Sequence, residues 1–168
     1  QSRLRPSKKL LENVHRIIKN DVVFSLLNEQ LAAKNLIWAR CRISAKKNEK
    51  SVIIVNGGPG TGKSVIALNI LAEAAQKKKN VMYGCKSKPF TEGLKKLVGR
   101  GGEIMFYNLY RFVPNKVKEN ELDILLIDEA HRVEKTSNHQ YTKPEDRTDM
   151  PQMEQLVRCA KTTVFFID

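Results

Sequence analysis

The chain has 168 residues and carries 30 Lys and Arg against 18 Asp and Glu, a net charge of +12. That length supports one domain with a real core, and no apolar stretch reaches the ~20 residues that cross a bilayer, which excludes a helical membrane protein. The positive excess suits a polyanionic partner such as nucleic acid, although charge alone leaves a plain solvated basic surface equally open.

The amino-terminal Gln1-Ser2-Arg3-Leu4-Arg5-Pro6 is polar and basic, with no secretory leader and no initiating Met. The chain reads as a piece of a longer, cytoplasmic protein. Residues 1–24 are expected to be a linker or the tail of a preceding domain, with a short helix over Leu10 to Ile18. Residues 25–168 are expected to form one lobe. A longer helical pattern runs from Ser25, a candidate cap, to Ala45, with Leu27, Leu31 and Trp38 on one face. Lys46 to Lys50 is a polar turn.

Ser51-Val52-Ile53-Ile54-Val55-Asn56 reads as a buried strand. It leads into Gly57-Gly58-Pro59-Gly60-Thr61-Gly62-Lys63-Ser64, which fits the phosphate-binding pattern G-x-x-x-x-G-K-[ST]. Ala67, Ile70, Leu71 and Ala74 follow at helical spacing, so the motif lies on strand, loop and helix. Glycines free the backbone N–H groups to turn inward on an anion, and the next helix points its positive end at the same place. In that geometry Lys63 reaches the β- and γ-phosphates of a nucleotide, and the Ser64 hydroxyl coordinates Mg²⁺.

Gln76 to Asn80 closes the helix, and its lysines suit a helix carboxyl end. Val81 to Cys85 is the next strand, followed by Lys86-Ser87-Lys88-Pro89 and a helix over Phe90 to Val98. Gly99 to Gly102 is a loop, Glu103 to Tyr107 a short strand, and Asn108 to Val113 a helical stretch. Ile124-Leu125-Leu126-Ile127 reads as a strand buried on both faces, as in parallel sheets. It ends in Asp128-Glu129-Ala130-His131, where the strand leaves the sheet and ligands of α/β folds collect. Asp128 is the expected partner of hydrated Mg²⁺, and Glu129 the base that deprotonates a water attacking the γ-phosphate. An ordinary Asp-Glu helix start is the alternative. Residues 131–150 form a polar loop, of a length that is either functional or disordered. Pro151 opens a helix to about Lys161, and Thr162 to Ile167 is the last strand.

Strands and helices alternate, which predicts an α/β fold with a mainly parallel sheet and helices on both faces. Cys41, Cys85 and Cys159 show no metal-ligand spacing, and His15, His131 and His139 do not cluster with them. Reduced thiols and no zinc site are expected.

Val-Asn-Gly-Gly-Pro-Gly-Thr-Gly-Lys-Ser (55–64), Lys-Pro-Phe-x-x-x-Leu (88–94), Asp-Glu-Ala-His-Arg (128–132) and the terminal Phe-Phe-Ile-Asp (165–168) together resemble the Schlafen group 3-type DNA/RNA helicase domain. The resemblance covers roughly residues 25–168 and implies a RecA-like P-loop NTPase related to superfamily 1 helicases, with Mg·ATP as its nucleotide. It likens Asn28-Glu29-Gln30 to a helicase Q motif, with Gln30 either reading the adenine or standing as a plain polar residue at a helix edge. It places Lys86, Ser87 and Lys88 at a DNA- or RNA-contacting motif, against the alternative of a solvated loop. It makes Asp168 the start of a motif that continues with a γ-phosphate-sensing glutamine. It also implies a second RecA-like lobe that supplies an arginine finger, so the isolated lobe is expected to bind Mg·ATP and hydrolyse it slowly.

The leading expectation is the ATPase lobe of a helicase-like motor driven by nucleic acid. An ATP-dependent switch or scaffold that controls a fused or partner effector uses the same P-loop and remains the alternative. A small-substrate kinase is disfavoured, because Glu129 activates water, which a kinase must avoid.

Overall fold

The computed structural model describes residues 26–98 and 103–168. The expected linker over 1–24, the Leu10–Ile18 helix, the Ser25 cap and the 99–102 loop lie outside the described residues. Among the described residues there are five strands, β1 (Ser51–Asn56), β2 (Val81–Cys85), β3 (Phe106–Tyr107), β4 (Leu122–Asp128) and β5 (Ala160–Ile167), and four α-helices, α1 (Asn28–Lys47), α2 (Lys63–Gln76), α3 (Lys88–Val98) and α4 (Gln152–Cys159).

The strands form one sheet in the order β1-β5-β4-β2-β3, and every neighbouring pair is parallel. Parallel strands need long crossovers, and these cover both faces of the sheet. Side chains of α1, α2 and α3 pack on one face, around Trp38, Ile70, Leu71, Leu94 and Tyr83. The other face is covered by α4 and the turn at Leu109–Arg111, around Phe112, Leu125, Leu156 and Phe165. This is the α/β, RecA-like architecture expected.

Central β4 is buried on both faces from Ile124 to Asp128, as its four consecutive apolar residues predict. β1 departs from expectation. It is an edge strand, and its outward residues Val52 and Ile54 are 50% and 65% exposed. A strand with one neighbour and one covered face alternates half-buried and exposed positions, whatever its residue types.

Helix α1 also departs from its predicted face. Trp38 is buried, but Leu27 is 71% exposed and Leu31 is exposed as well. Contact with the body runs instead through Gln30, Ala33, Ile37, Cys41 and Ser44, a helical repeat displaced around the axis. The expected strand Glu103–Tyr107 is mostly a 3-10 turn, with only Phe106 and Tyr107 pairing to β2.

The 131–150 loop is ordered by polar side chains rather than by an apolar core. Ser137 Oγ donates to Gln155 Oε1 at 2.8 Å, and Gln152 Nε2 donates to Ser137 Oγ at 3.0 Å, with all three residues buried. Asn138 and Thr148 exchange two further hydrogen bonds across the loop. Buried Asp146 is held by Lys116 and by Asn115 Nδ2. Such a network fixes a backbone only when each member finds its partner.

Candidate functional site

The sheet order lines up the carboxyl ends of β1, β5, β4 and β2, so the segments leaving these strands meet at one pole. The 57–62 loop, the expected P-loop, leaves β1. Gly57 N–H donates to Ile167 O at 3.2 Å, which seats the start of the loop against the end of β5. Gly60 and Gly62 have φ of 77° and 85°, in the left-handed region that glycine adopts without strain. A Cβ built on Gly58 or Gly60 would meet nothing within 4 Å, so both face open space. Thr61 Oγ1 closes the loop on Gly58 O at 2.8 Å, and Pro59 stands exposed at its tip.

α2 begins at Lys63 with no side-chain cap, so its first N–H groups and its positive end are directed at the loop. Lys63 is buried. Its ammonium donates to the carbonyls of Gly57 and Gly58 and pairs with Asp168, which follows β5. That hydrogen bond from Lys63 holds the Asp168 carboxyl below the usual carboxylate range. Ser64, one residue further on, is half-buried.

Gln30 reaches the same loop from α1. Its Oε1 accepts from Leu27 N–H at 3.0 Å, and its Nε2 donates to Thr61 O at 2.9 Å. The carboxamide therefore ties the first turn of α1 to the P-loop backbone.

Asp128 and Glu129 stand at the end of β4. Asp128 is buried; its Oδ1 accepts from Glu129 N–H at 3.0 Å, and its Oδ2 accepts from the hydroxyl of Tyr83 on β2. Burial, and then the Asp128 carboxylate, push the Tyr83 phenol far above its ordinary pKa, so it stays protonated as a donor. Glu129 has φ 49°, a left-handed conformation that is uncommon for a residue with a Cβ. Arg132 Nε lies 3.2 Å from Glu129 Oε2, but no hydrogen bond reaches that buried oxygen. One lone-pair site of a candidate base is thus left without a donor.

Lys86, Ser87 and Lys88 are brought to the same pole but differ in surroundings. Lys86 is engaged by Glu134, which also accepts from Tyr110 Oη at 2.6 Å. Ser87 O accepts from Thr91 N–H at 3.0 Å and Thr91 Oγ1 at 2.7 Å, supporting the start of α3. Lys88 is exposed and forms no ion pair among the described residues.

Together these residues make a glycine-containing loop with a buried cation, beside two carboxylates one strand away from it. β5 lies between β1 and β4 and inserts Asp168 between the loop and the carboxylates. Sequence reasoning missed Tyr83 and gave Arg132 no part beyond its place in the 128–132 motif. A signal for Tyr83 was present: a tyrosine inside a strand buried along its whole length must find a partner for its hydroxyl.

The family model described as Schlafen group 3, DNA/RNA helicase domain, matches residues 50–168. The match begins at Lys50, so α1 and Gln30 precede it. No curated protein and no solved structure matches the chain. Among the described residues no helix is long and apolar enough to cross a membrane.

Proposed function

Because the chain belongs to the Schlafen group 3 DNA/RNA helicase domain family, we propose that it is the nucleotide-binding lobe of a nucleic-acid-dependent ATPase. In this reading it works with a second RecA-like lobe. The observation that carries it is the meeting of buried Lys63, on the P-loop helix, with Asp128 and Glu129 at the carboxyl pole of one sheet.

Mg·ATP fits the residues present. Gly58 and Gly60 face open space where phosphate oxygens would approach the backbone. Lys63 would exchange the Gly57 and Gly58 carbonyls for the β- and γ-phosphates, as a donor already stripped of most of its water. Gly57 through Gly62, with Pro59 and Thr61, would wrap the phosphates. Ser64 and Asp128 would hold Mg²⁺. When bound, Mg·ATP supplies a γ-phosphoryl group whose charge the metal partly neutralises. Glu129 takes the proton from the attacking water, its left-handed backbone setting where the carboxylate points. Lys63 holds the charge that builds on the transferred group. Gln30 acts by fixing the loop through Thr61, and Lys88, which unlike Lys86 has no ion pair among the described residues, would meet a nucleic-acid phosphate.

The test is ATP hydrolysis by the full-length protein that carries this chain, with and without single-stranded DNA and RNA, beside a Glu129→Gln variant. Strong stimulation by one nucleic acid, abolished in the variant, supports the motor. Tight ATP binding with no stimulation by either overturns it and leaves an ATP-dependent switch.

A further inference from the structure

Beside the row of strand ends stands a group of rings that the nucleotide chemistry does not use. Three of the chain's four tyrosines, Tyr107, Tyr110 and Tyr141, lie in or after β3 and in the 131–150 loop, and His139 joins them. Tyr110 and His139 meet edge to face with centroids 4.8 Å apart, and His139 and Tyr141 do the same at 6.2 Å. Tyr141 is 81% exposed, and its N–H donates to His139 Nδ1 at 3.2 Å. The row starts at Glu134, the carboxylate that also holds Lys86.

Its open charges lean positive. The 131–150 loop has four cations and four acids, so net charge does not favour a polyanion. Yet Glu134 is occupied by Lys86 and Tyr110, and Asp146 is turned inward onto Lys116 and Asn115. Lys135, Lys143 and Arg147 are exposed and form no ion pair among the described residues, and the same holds for Glu145 and Asp149, which leaves three open cations against two open acids. Arg147 Nε donates to Thr142 O at 3.3 Å, next to Tyr141. The buried Ser137, Gln152 and Gln155 network holds this surface in place, so exposed rings do not need ordering when a ligand arrives.

We propose that Tyr110, His139 and Tyr141 form a stacking platform for the bases of a single-stranded nucleic acid, with Lys135, Lys143 and Arg147 meeting its phosphates. The proposal rests on the nucleic-acid reading above and adds where and how the strand is held. Single strands are the partner because their bases offer open π-faces, which a duplex hides. Ring stacking tolerates every base, so the platform binds without sequence preference.

The test uses the full-length protein that carries this chain and fluorescent strands of about 15 nucleotides: oligo-dT, oligo-U and an abasic strand of equal length. The platform predicts that base-bearing strands bind about tenfold or more tighter than the abasic strand. Tyr141→Ala and His139→Ala bring oligo-dT down to the abasic level and leave abasic binding unchanged. Tyr141→Trp retains the preference for bases. Unchanged thermal midpoints establish that the variants are folded. If the unmodified protein prefers bases and the variants do too, or if abasic binding falls equally, the platform is wrong while the nucleic-acid reading stands. If the unmodified protein binds neither kind of strand, the nucleic-acid reading fails and the platform with it.

Discussion

The hydroxyl of Tyr83 donates to Oδ2 of Asp128 across the β2–β4 pairing, while the N–H of Glu129 fills Oδ1 of the same carboxylate. A buried aspartate is thereby fixed in one orientation from two sides. Tyr83→Phe keeps the ring and its packing but removes the donor. It is expected to lower stability by about 1–3 kcal/mol, the cost of leaving a buried acceptor unfilled. Under the proposed reading it also raises the Mg²⁺ concentration needed for half-maximal ATP hydrolysis. Denaturant unfolding and a Mg²⁺ titration read the two effects separately. An unchanged Mg²⁺ requirement removes Tyr83 from any part in setting Asp128.

The same phenol gives an alkaline signature. Burial raises Tyr83 far above the ordinary 10.0, and the hydrogen bond to Glu134, aided by partial burial, pushes Tyr110 up to about 12. Above about pH 10 the unfolded chain releases protons that the native state keeps, so the unfolded state binds fewer and stability falls as pH rises. The contribution is complete below the unfolded value. Tyr110's share disappears between pH 10 and about 12, and Tyr83's loss continues beyond it. Urea midpoints at about pH 8 and about pH 11 should differ, and the difference should shrink in Tyr83→Phe.

Two glycine-to-alanine changes should have opposite signs. On β2, a Cβ at Gly84 would lie 2.9 Å from Ile127 Cδ1, 3.0 Å from Phe112 Cε2 and 3.1 Å from Leu109 Cδ2. Gly84→Ala overfills that core and should destabilise by about 1–3 kcal/mol. On α3, a Cβ at exposed Gly93 would meet nothing within 4 Å. Gly93→Ala should stabilise by about 0.5–1 kcal/mol through helix propensity. Thermal melts of the pair decide it, and shifts of one sign in both would contradict the packing described.

Ser137 is the junction of the loop network, taking one hydrogen bond from Gln152 and giving one to Gln155. Ser137→Ala should cost about 1–3 kcal/mol. It should also expose the 131–150 segment to limited proteolysis at rates the unmodified chain does not show. Unaltered cleavage there would mean that Asp146 and the Asn138–Thr148 pairing suffice to hold the loop.

The family was legible because the 57–64 and 128–132 segments are short local patterns of residue types, which need no knowledge of distant pairing. β4 was legible because four apolar residues in succession require cover on both sides. β1 carries a similar run, Val52 to Val55, and hydropathy could not tell the two apart. Edge or centre is decided by which strands pair, and pairing is a property of distant segments. The face of α1 was misread for a related reason. Leu27 and Leu31 fit a helical stripe, but the body contacts a neighbouring stripe that includes Gln30 and Ser44, polar residues that a hydrophobic pattern discounts. The order in the 131–150 loop was equally hidden, since its stabilising groups are amides and hydroxyls that also suit solvent.

The edge position of β1 has a practical consequence for handling this chain in solution. Among the described residues its outer side pairs with no strand, and Val52 and Ile54 flank that open ladder. Such an edge is a template for another copy's backbone. What opposes self-association is the net charge of +12, which makes copies repel one another at long range. Salt shortens that repulsion to about 8 Å near physiological ionic strength and about 3 Å at 1 M. Contrary to the usual practice of adding salt to keep a basic protein dispersed, concentrated samples should cloud first in high salt, and a lysine in place of Ile54 should keep them clear.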